Sequence, residues 1–207
     1  MFRSTNGSDE IVSHSFAITY DYLCPFARIA NEAVIEAIED GVDWDVTFHP
    51  FSLSQVHIDE GSSSVWDRPL GAEGTRGTRA HAWALAVTEL APDRFLAFHK
   101  ELFAARHDRA DDVDDEGVLR AVASTSGVDG DAVAAAVASG GPLARLGESH
   151  TEAVRQWSVF GVPTFIKNGT AVFVRLMERH RVDDVERVLD LLDWSRLNEY
   201  KHTTIPR

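Results

Sequence analysis

Residues 13–40, SHSFAITYDYLCPFARIANEAVIEAIED, decide the fold, because an alternating segment passes into an amphipathic one through a turn that holds the only cysteine of the chain. Val12, Phe16, Ile18 and Tyr20 largely alternate with Ser13, Ser15, Ala17 and Thr19, which predicts a strand over Ser13–Tyr20. Phe26, Ile29, Ala30, Ala33, Val34, Ala37 and Ile38 then recur at helical spacing up to Gly41, so a helix is expected from about Pro25 to Asp40. Trp44, Val46 and Phe48 alternate with Asp43, Asp45 and Thr47, giving a second strand whose exit is limited by Pro50. The opening unit is strand, helix, strand, and Cys24 sits at its first joint.

Outward from that unit, residues 52–77 are rich in Gly, Ser and Pro and read as a long loop with one short helical turn. Helical spacing alone follows, over Ala80–Leu90, Arg94–Ala105, Glu116–Thr125, Asp131–Ser139 and Pro142–Trp157. The acidic run Asp108–Glu116 between them reads as a solvated turn and helix cap. Strands are expected again at Pro163–Lys167 and Ala171–Leu176, joined by the hairpin signal Asn168-Gly169, and Val182, Val185, Val188, Leu189 and Leu192 mark a last helix. The fold class is therefore α/β: a βαβ…ββα sheet domain with a large all-helical insertion. The expected division is 11–51 as the first part of the sheet domain, 52–158 as the insertion with its leading loop, 159–193 as the second part, and 194–207 as a tail. Trp194, Leu197, Tyr200 and Ile205 suggest that part of this tail packs back.

The 207 residues are 44% hydrophobic and 26% charged, with five Trp and eleven Phe, enough large apolar side chains for a globular core. Twenty Lys plus Arg against thirty-three Asp plus Glu give a net charge of -13, which repels nucleic acid and anionic membranes. There is no apolar run of membrane-spanning length, and Met1 to Glu10 is polar and acidic, so a cytoplasmic location is expected. One cysteine excludes an internal disulfide, and any thiol chemistry needs an outside partner. No histidine pair shows zinc-enzyme spacing and no glycine-rich phosphate motif occurs, so neither a metal nor a tightly bound cofactor is expected. An uncovered apolar face on the insertion would support a homodimer.

Cys24 precedes Pro25, which suits the first helical position because it lacks the N–H that would be unpaired there. A thiol at that point caps the helix, and the free N–H groups with the positive helix end are expected to lower its pKa. The plainer alternative is a small buried hydrophobe. Val162-Pro163 opens the third strand, where a trans proline starting an edge strand is the simplest reading. The βαβ and ββα order brings Cys24 and Pro163 to the same edge of one sheet. Asp21 reads as a strand-end cap, and His49 as a structural hydrogen-bonding residue or a proton donor. Arg76 and Arg79 are solvated or clamp the carboxylates of a tripeptide-like thiol. Trp66 and Trp83 are core residues or line a pocket beneath the insertion.

Taken together, Asp21-Tyr22-Leu23-Cys24-Pro25-Phe26-Ala27, His49-Pro50-Phe51 and Phe160-Gly161-Val162-Pro163-Thr164-Phe165 resemble the thioredoxin-like proteins of the DsbA family. The likeness is greatest to the cytoplasmic branch that includes glutathione-transferase kappa and the 2-hydroxychromene-2-carboxylate isomerases, and it spans nearly the full chain. The resemblance implies that Cys24 is the nucleophile, that Pro163 is cis and borders the substrate thiol, and that Val162 offers backbone groups to it. Pro25 and Phe26, beside the nucleophile, join Val162 as expected binding residues. Ala27 departs from the pattern, since redox members place a resolving cysteine there, and without it a mixed disulfide cannot be released internally. The expected function is a thiol-disulfide oxidoreductase of monothiol type, acting on a small thiol or disulfide with a low-molecular-weight thiol as co-substrate. A thiol-cofactor-dependent transferase or isomerase, and a non-catalytic binding protein, stand as alternatives.

Overall fold

The computed structural model describes residues 14–194 and 196. Strand β1 (His14–Tyr20) leads through a tight turn into helix α1 (Pro25–Glu39), and strand β2 (Trp44–Pro50) completes the opening unit. After helices α2 (Leu53–Val56), α3 (Thr78–Leu90), α4 (Phe95–His107), α5 (Glu116–Thr125), α6 (Gly130–Ala138) and α7 (Gly141–Trp157) come strands β3 (Thr164–Lys167) and β4 (Thr170–Phe173) and helix α8 (Val182–Asp193). The sheet order is β2-β1-β3-β4. β1 runs parallel to β2, as a strand-helix-strand crossover requires, and β3 pairs antiparallel with both β1 and β4. Asn168 and Gly169 carry φ of 52° and 77°, the positive values a tight hairpin turn needs. The sheet thus places the end of β1 next to the start of β3.

Two apolar clusters hold the fold. One gathers Phe16 and Ile18 of β1, Phe165 of β3, Ala30 and Val34 of α1, and Val185, Val188 and Leu189 of α8. The other packs Tyr20, Tyr22, Cys24 and Phe51 against the helical insertion, including Trp83, Phe98, Leu102, Phe103 and Leu119. Each fully buried side chain of this size contributes roughly 1.5–3 kcal/mol of transfer free energy. Cys24 belongs to the second cluster, so its environment depends on the insertion as well as on its own helix.

Three local differences from the sequence expectation have physical causes. β4 ends at Phe173 rather than Leu176: the Val174 N–H still bonds the Pro163 carbonyl, but Pro163 has no N–H to carry the ladder on, and Leu176 turns into the cluster beneath α8. Residues 52–77 contain α2 and a 3-10 turn at Val65–Asp67, and side chains tie them together: Gln55 accepts from the Val65 N–H and Arg68 donates to the Ser63 carbonyl. The acidic run is only partly solvated. Asp115 caps α5 through the Val118 N–H, but Asp114 accepts from the Gly77 and Arg79 N–H groups and fastens the start of α3. Gly77 is required at that joint, since its φ is +81° and an added Cβ would lie 3.1 Å from Leu23, next to the thiol turn. Of the tail, Trp194 is half exposed, and Leu197, Tyr200 and Ile205 lie outside the described residues. Among the described residues no helix is long and apolar enough to cross a membrane.

Candidate functional site

The turn between β1 and α1 is closed by the Cys24 N–H donating to the Asp21 carbonyl at 3.0 Å. Pro25 occupies the first turn of α1, and Cys24 caps it: the Ala27 N–H points at Sγ, 3.4 Å away. The thiol also faces the Val162 carbonyl at 3.6 Å, across 138 residues of chain. The Val162–Pro163 peptide bond is cis. Its loop is held in place because the Thr164 N–H donates to Thr19 Oγ1 at 2.8 Å and Thr164 Oγ1 donates to the Gly161 carbonyl at 2.8 Å. Cys24, Pro25, Phe26, Val162 and Pro163 therefore meet at one edge of the sheet.

The thiol is not activated in the way the helix end alone suggests. Burial, with only 8% of the residue exposed, pushes the Cys24 pKa up; the Ala27 and Phe26 N–H groups and Arg175 pull it down, and Asp21 adds to the rise. The pKa is raised rather than lowered because the sulfur is buried in the cluster that the sheet end and the insertion share. Two weak N–H···S contacts do not outweigh that desolvation.

Beneath the thiol lies a buried polar group of side chains. Asp21 is fully buried; its Oδ1 accepts from the Leu23 N–H at 2.8 Å and its Oδ2 from the Leu53 N–H at 2.7 Å, with His81 Nε2 3.5 Å from Oδ2. Burial raises its pKa, but His81 and the two N–H groups outweigh that and hold the carboxyl below its usual range. Asp21 thus ties β1, the thiol turn and α2 together, a larger part than a strand-end cap. Alongside it, Tyr22 Oη meets His99 Nδ1 at 2.7 Å, His99 Nε2 meets Asn31 Oδ1 at 3.2 Å, and Asn31 Nδ2 donates to the Ala27 carbonyl at 2.8 Å. Burial drives the His99 pKa down to about 3, so its ring is neutral at physiological pH. His81, Asn31 and His99 do not stand out in the sequence, and Tyr22 enters there only as part of the turn motif, because nothing in one dimension shows that they come together.

Other residues singled out by sequence sit elsewhere. His49 Nδ1 lies 3.3 Å from Ser149 Oγ and its ring packs on Trp157, so its partners are on α7. Arg79 is occupied by the Leu70 carbonyl at 3.4 Å and Glu116 at 3.8 Å, and Arg76 is exposed, its carbonyl bonded by Ser54 Oγ. Trp83 is a core residue; Trp66 packs on Gly147 and His150 and borders an open cavity of about 780 Å³. A second cavity, of about 500 Å³, opens next to the thiol turn and is lined by Leu23, Leu53, His57 and Arg68 among others. The residue that sequence reasoning passes over is Arg175, whose guanidinium lies over the Phe26 ring at 5.2 Å and the Phe173 ring at 5.4 Å. Among the described residues, no group of three or more His, Cys, Asp or Glu side chains is placed to hold a metal ion.

The family model of the DSBA-like thioredoxin domain matches residues 17–190. The chain belongs to the DSBA-like thioredoxin domain family. Comparison with curated proteins by sequence gives no match. Among solved structures, this DSBA-like domain is similar to a 2-hydroxychromene-2-carboxylate isomerase, with 18% identity and a TM-score of 0.62 over 86% of this chain and 96% of that one. It is similar also to the cytosolic disulfide reductase DsbM from Pseudomonas aeruginosa with GSH, at 19% identity and a TM-score of 0.60, covering 86% and 98% of the two chains. A putative protein disulfide isomerase from Nitrosomonas europaea aligns at 14% identity and a TM-score of 0.62, over 88% and 98%. At these identities the likeness is one of fold.

Proposed function

We propose that this DSBA-like domain is a monothiol thiol-disulfide oxidoreductase in which Cys24 attacks a small disulfide. The observation that carries this reading is the placement of Sγ between the first N–H groups of α1 and the Val162 carbonyl, beside Pro163. The Cys24 thiolate attacks one sulfur of R–S–S–R; the Sγ–S bond forms, the S–S bond breaks, and RS⁻ leaves with the electron pair and takes a proton from water. Cys24 is oxidised to a mixed disulfide and half of the substrate is reduced. With Ala27 where a resolving thiol would stand, a second low-molecular-weight thiol attacks the adduct and returns Cys24 to the thiol.

Burial holds Cys24 largely as the thiol, so the attacking thiolate is a minor form and the exchange rate should rise with pH. The departing half is assigned to the cavity beside Leu23, the residue before Cys24, and the Val162 carbonyl, Pro25 and Phe26 lie next to the cysteine that is attacked. No tightly bound cofactor enters this scheme. The reading places the protein in the cytoplasm, where small thiols are kept reduced. It needs no nucleic acid, membrane or protein partner, and a homodimer would leave the chemistry within one chain.

A second reading is favoured by one contact. As a thiol, Cys24 donates toward the Val162 carbonyl, and a protonated Cys24 can serve as a hydrogen-bonding neighbour for the sulfur of a bound thiol cofactor in a transferase or isomerase. Cys24→Ser separates the two: the oxidoreductase loses all exchange, whereas the transferase or isomerase keeps thiol-dependent turnover.

A further inference from the structure

Arg175 lies two residues beyond the end of β4, and its position is set by the site itself. The preceding Val174 N–H donates to the Pro163 carbonyl at 3.2 Å, so the chain at Arg175 is tethered to the loop facing the thiol. Its guanidinium then lies between Phe26, two residues beyond Cys24, and Phe173. Phe173 in turn packs on the same loop, since a Cβ added at Gly161 would lie 3.3 Å from its ring, and it carries Phe160 at a centroid distance of 5.1 Å. The charge is felt at the thiol, where it acts to lower the Cys24 pKa.

Among the described residues, Arg28, Arg79, Arg94, Arg109, Arg120, Arg145, Arg179, Arg181 and Arg187 meet carboxylates within 4.0 Å, whereas Arg68, Arg76, Arg106 and Arg155 do not; Arg175 differs from these four in lying over two aromatic rings, one of them on the thiol helix. Among the described residues no carboxylate is within that distance of Arg175, although its side chain is exposed and thirty-three acidic residues are available. Two ring faces hold its plane by cation–π attraction and leave its N–H edge free for a bidentate acceptor. An ordered cation, fixed beside a nucleophile and unpaired in a molecule of net charge -13, is a recognition element.

We infer that Arg175 is the specificity-determining residue of the Cys24 site, selecting small disulfides and thiols that carry a carboxylate. The inference rests on the oxidoreductase reading of Cys24 and names its substrate class. The carboxylate of the incoming half bonds the guanidinium while its sulfur lies at Sγ, and the exchange then proceeds with the bonds and electrons as written above.

The test measures second-order rates of Cys24 adduct formation by intact mass with three disulfides: dithiodiglycolate, which carries two carboxylates, neutral 2-hydroxyethyl disulfide, and cystamine, which carries two ammonium groups. Any change in the thiolate fraction of Cys24 multiplies all three rates alike, so the ratio between them isolates recognition. The wild type is expected to react faster with dithiodiglycolate than with the neutral disulfide, and slowest with cystamine. Arg175→Gln should lower the dithiodiglycolate-to-neutral ratio about threefold to fivefold, the size of one exposed charge contact, and Arg175→Lys should keep a larger part of it. An unchanged ratio in Arg175→Gln, or a wild type without preference for the carboxylate, overturns the assignment of Arg175 while leaving Cys24 reactive. No adduct with any of the three removes the Cys24 reading and this inference with it.

Discussion

The two sides of the sheet bury polar groups in different ways. Beneath α8 the interior is apolar and its charges lie in ion pairs that lead out to water: Lys167 with Asp193, and the buried Arg28–Glu32 pair, which is continued by Arg179 and Asp108. Beneath the helical insertion the polar groups are enclosed, with Asp21 facing His81 and Tyr22, His99 and Asn31 linked in a chain that ends on the Ala27 carbonyl of the thiol helix. The first side supplies stability by area. The second holds the thiol turn by hydrogen bonds that have no water to replace them, and so couples the shape of the site to protonation.

The largest expected effect is at Asp21. Asp21→Ala leaves the buried Leu23 and Leu53 N–H groups without their acceptor and removes the carboxylate facing His81, and should cost about 3–5 kcal/mol in denaturant unfolding while changing the rate of Cys24 alkylation. Leu189→Ala, on the α8 side, should cost about 2–5 kcal/mol through the cavity it leaves and should not move the pH midpoint of Cys24 alkylation. Equal effects of the two variants on the thiol would erase the distinction between the sides.

A pH series sharpens the same contrast. His99 titrates at about 3 in the folded chain against about 6.5 in the unfolded one, so the unfolded state binds more protons between those values. Stability is therefore expected to fall as pH drops below about 6.5, by up to about 1.4 kcal/mol per pH unit for a single such group. His150, pushed by burial to about 4, adds to the slope. Asp21, held below its ordinary value, contributes stability above a pH of about 4 that is lost as pH falls through its folded pKa. His99→Gln should flatten the slope above pH 4, and Leu189→Ala should leave it parallel to the wild type. The smallest effect is at the thiol: the alkylation midpoint of Cys24 should lie above about 8.5, the value of a free cysteine, and a midpoint below it would mean that the helix end outweighs burial after all.

The sequence made the order of elements legible because the apolar periods are clean: α1 begins at Pro25, and β3 and β4 meet at Asn168-Gly169 as their spacing predicts. It also located the cap at Cys24 and the loop at Pro163, since proline and a lone cysteine are informative in one dimension. The sign of the Cys24 shift was not legible, because it depends on how deeply the sulfur is buried once distant parts of the chain, Val162 among them, pack around it. Asp21 looked like a local cap for the same reason: Leu53 and His81 reach it only once the insertion folds. Arg79 and Arg175 are indistinguishable by residue type, and only packing shows that the first is engaged by Leu70 and Glu116 and the second by two aromatic rings.

The most direct measurement is intact mass of the reduced protein after exposure to 2-hydroxyethyl disulfide, with Cys24→Ser alongside. A single mixed-disulfide adduct that is absent from Cys24→Ser and disappears on adding a small thiol is the result predicted here. An unmodified wild-type chain, under conditions where a free cysteine is converted, would contradict the account.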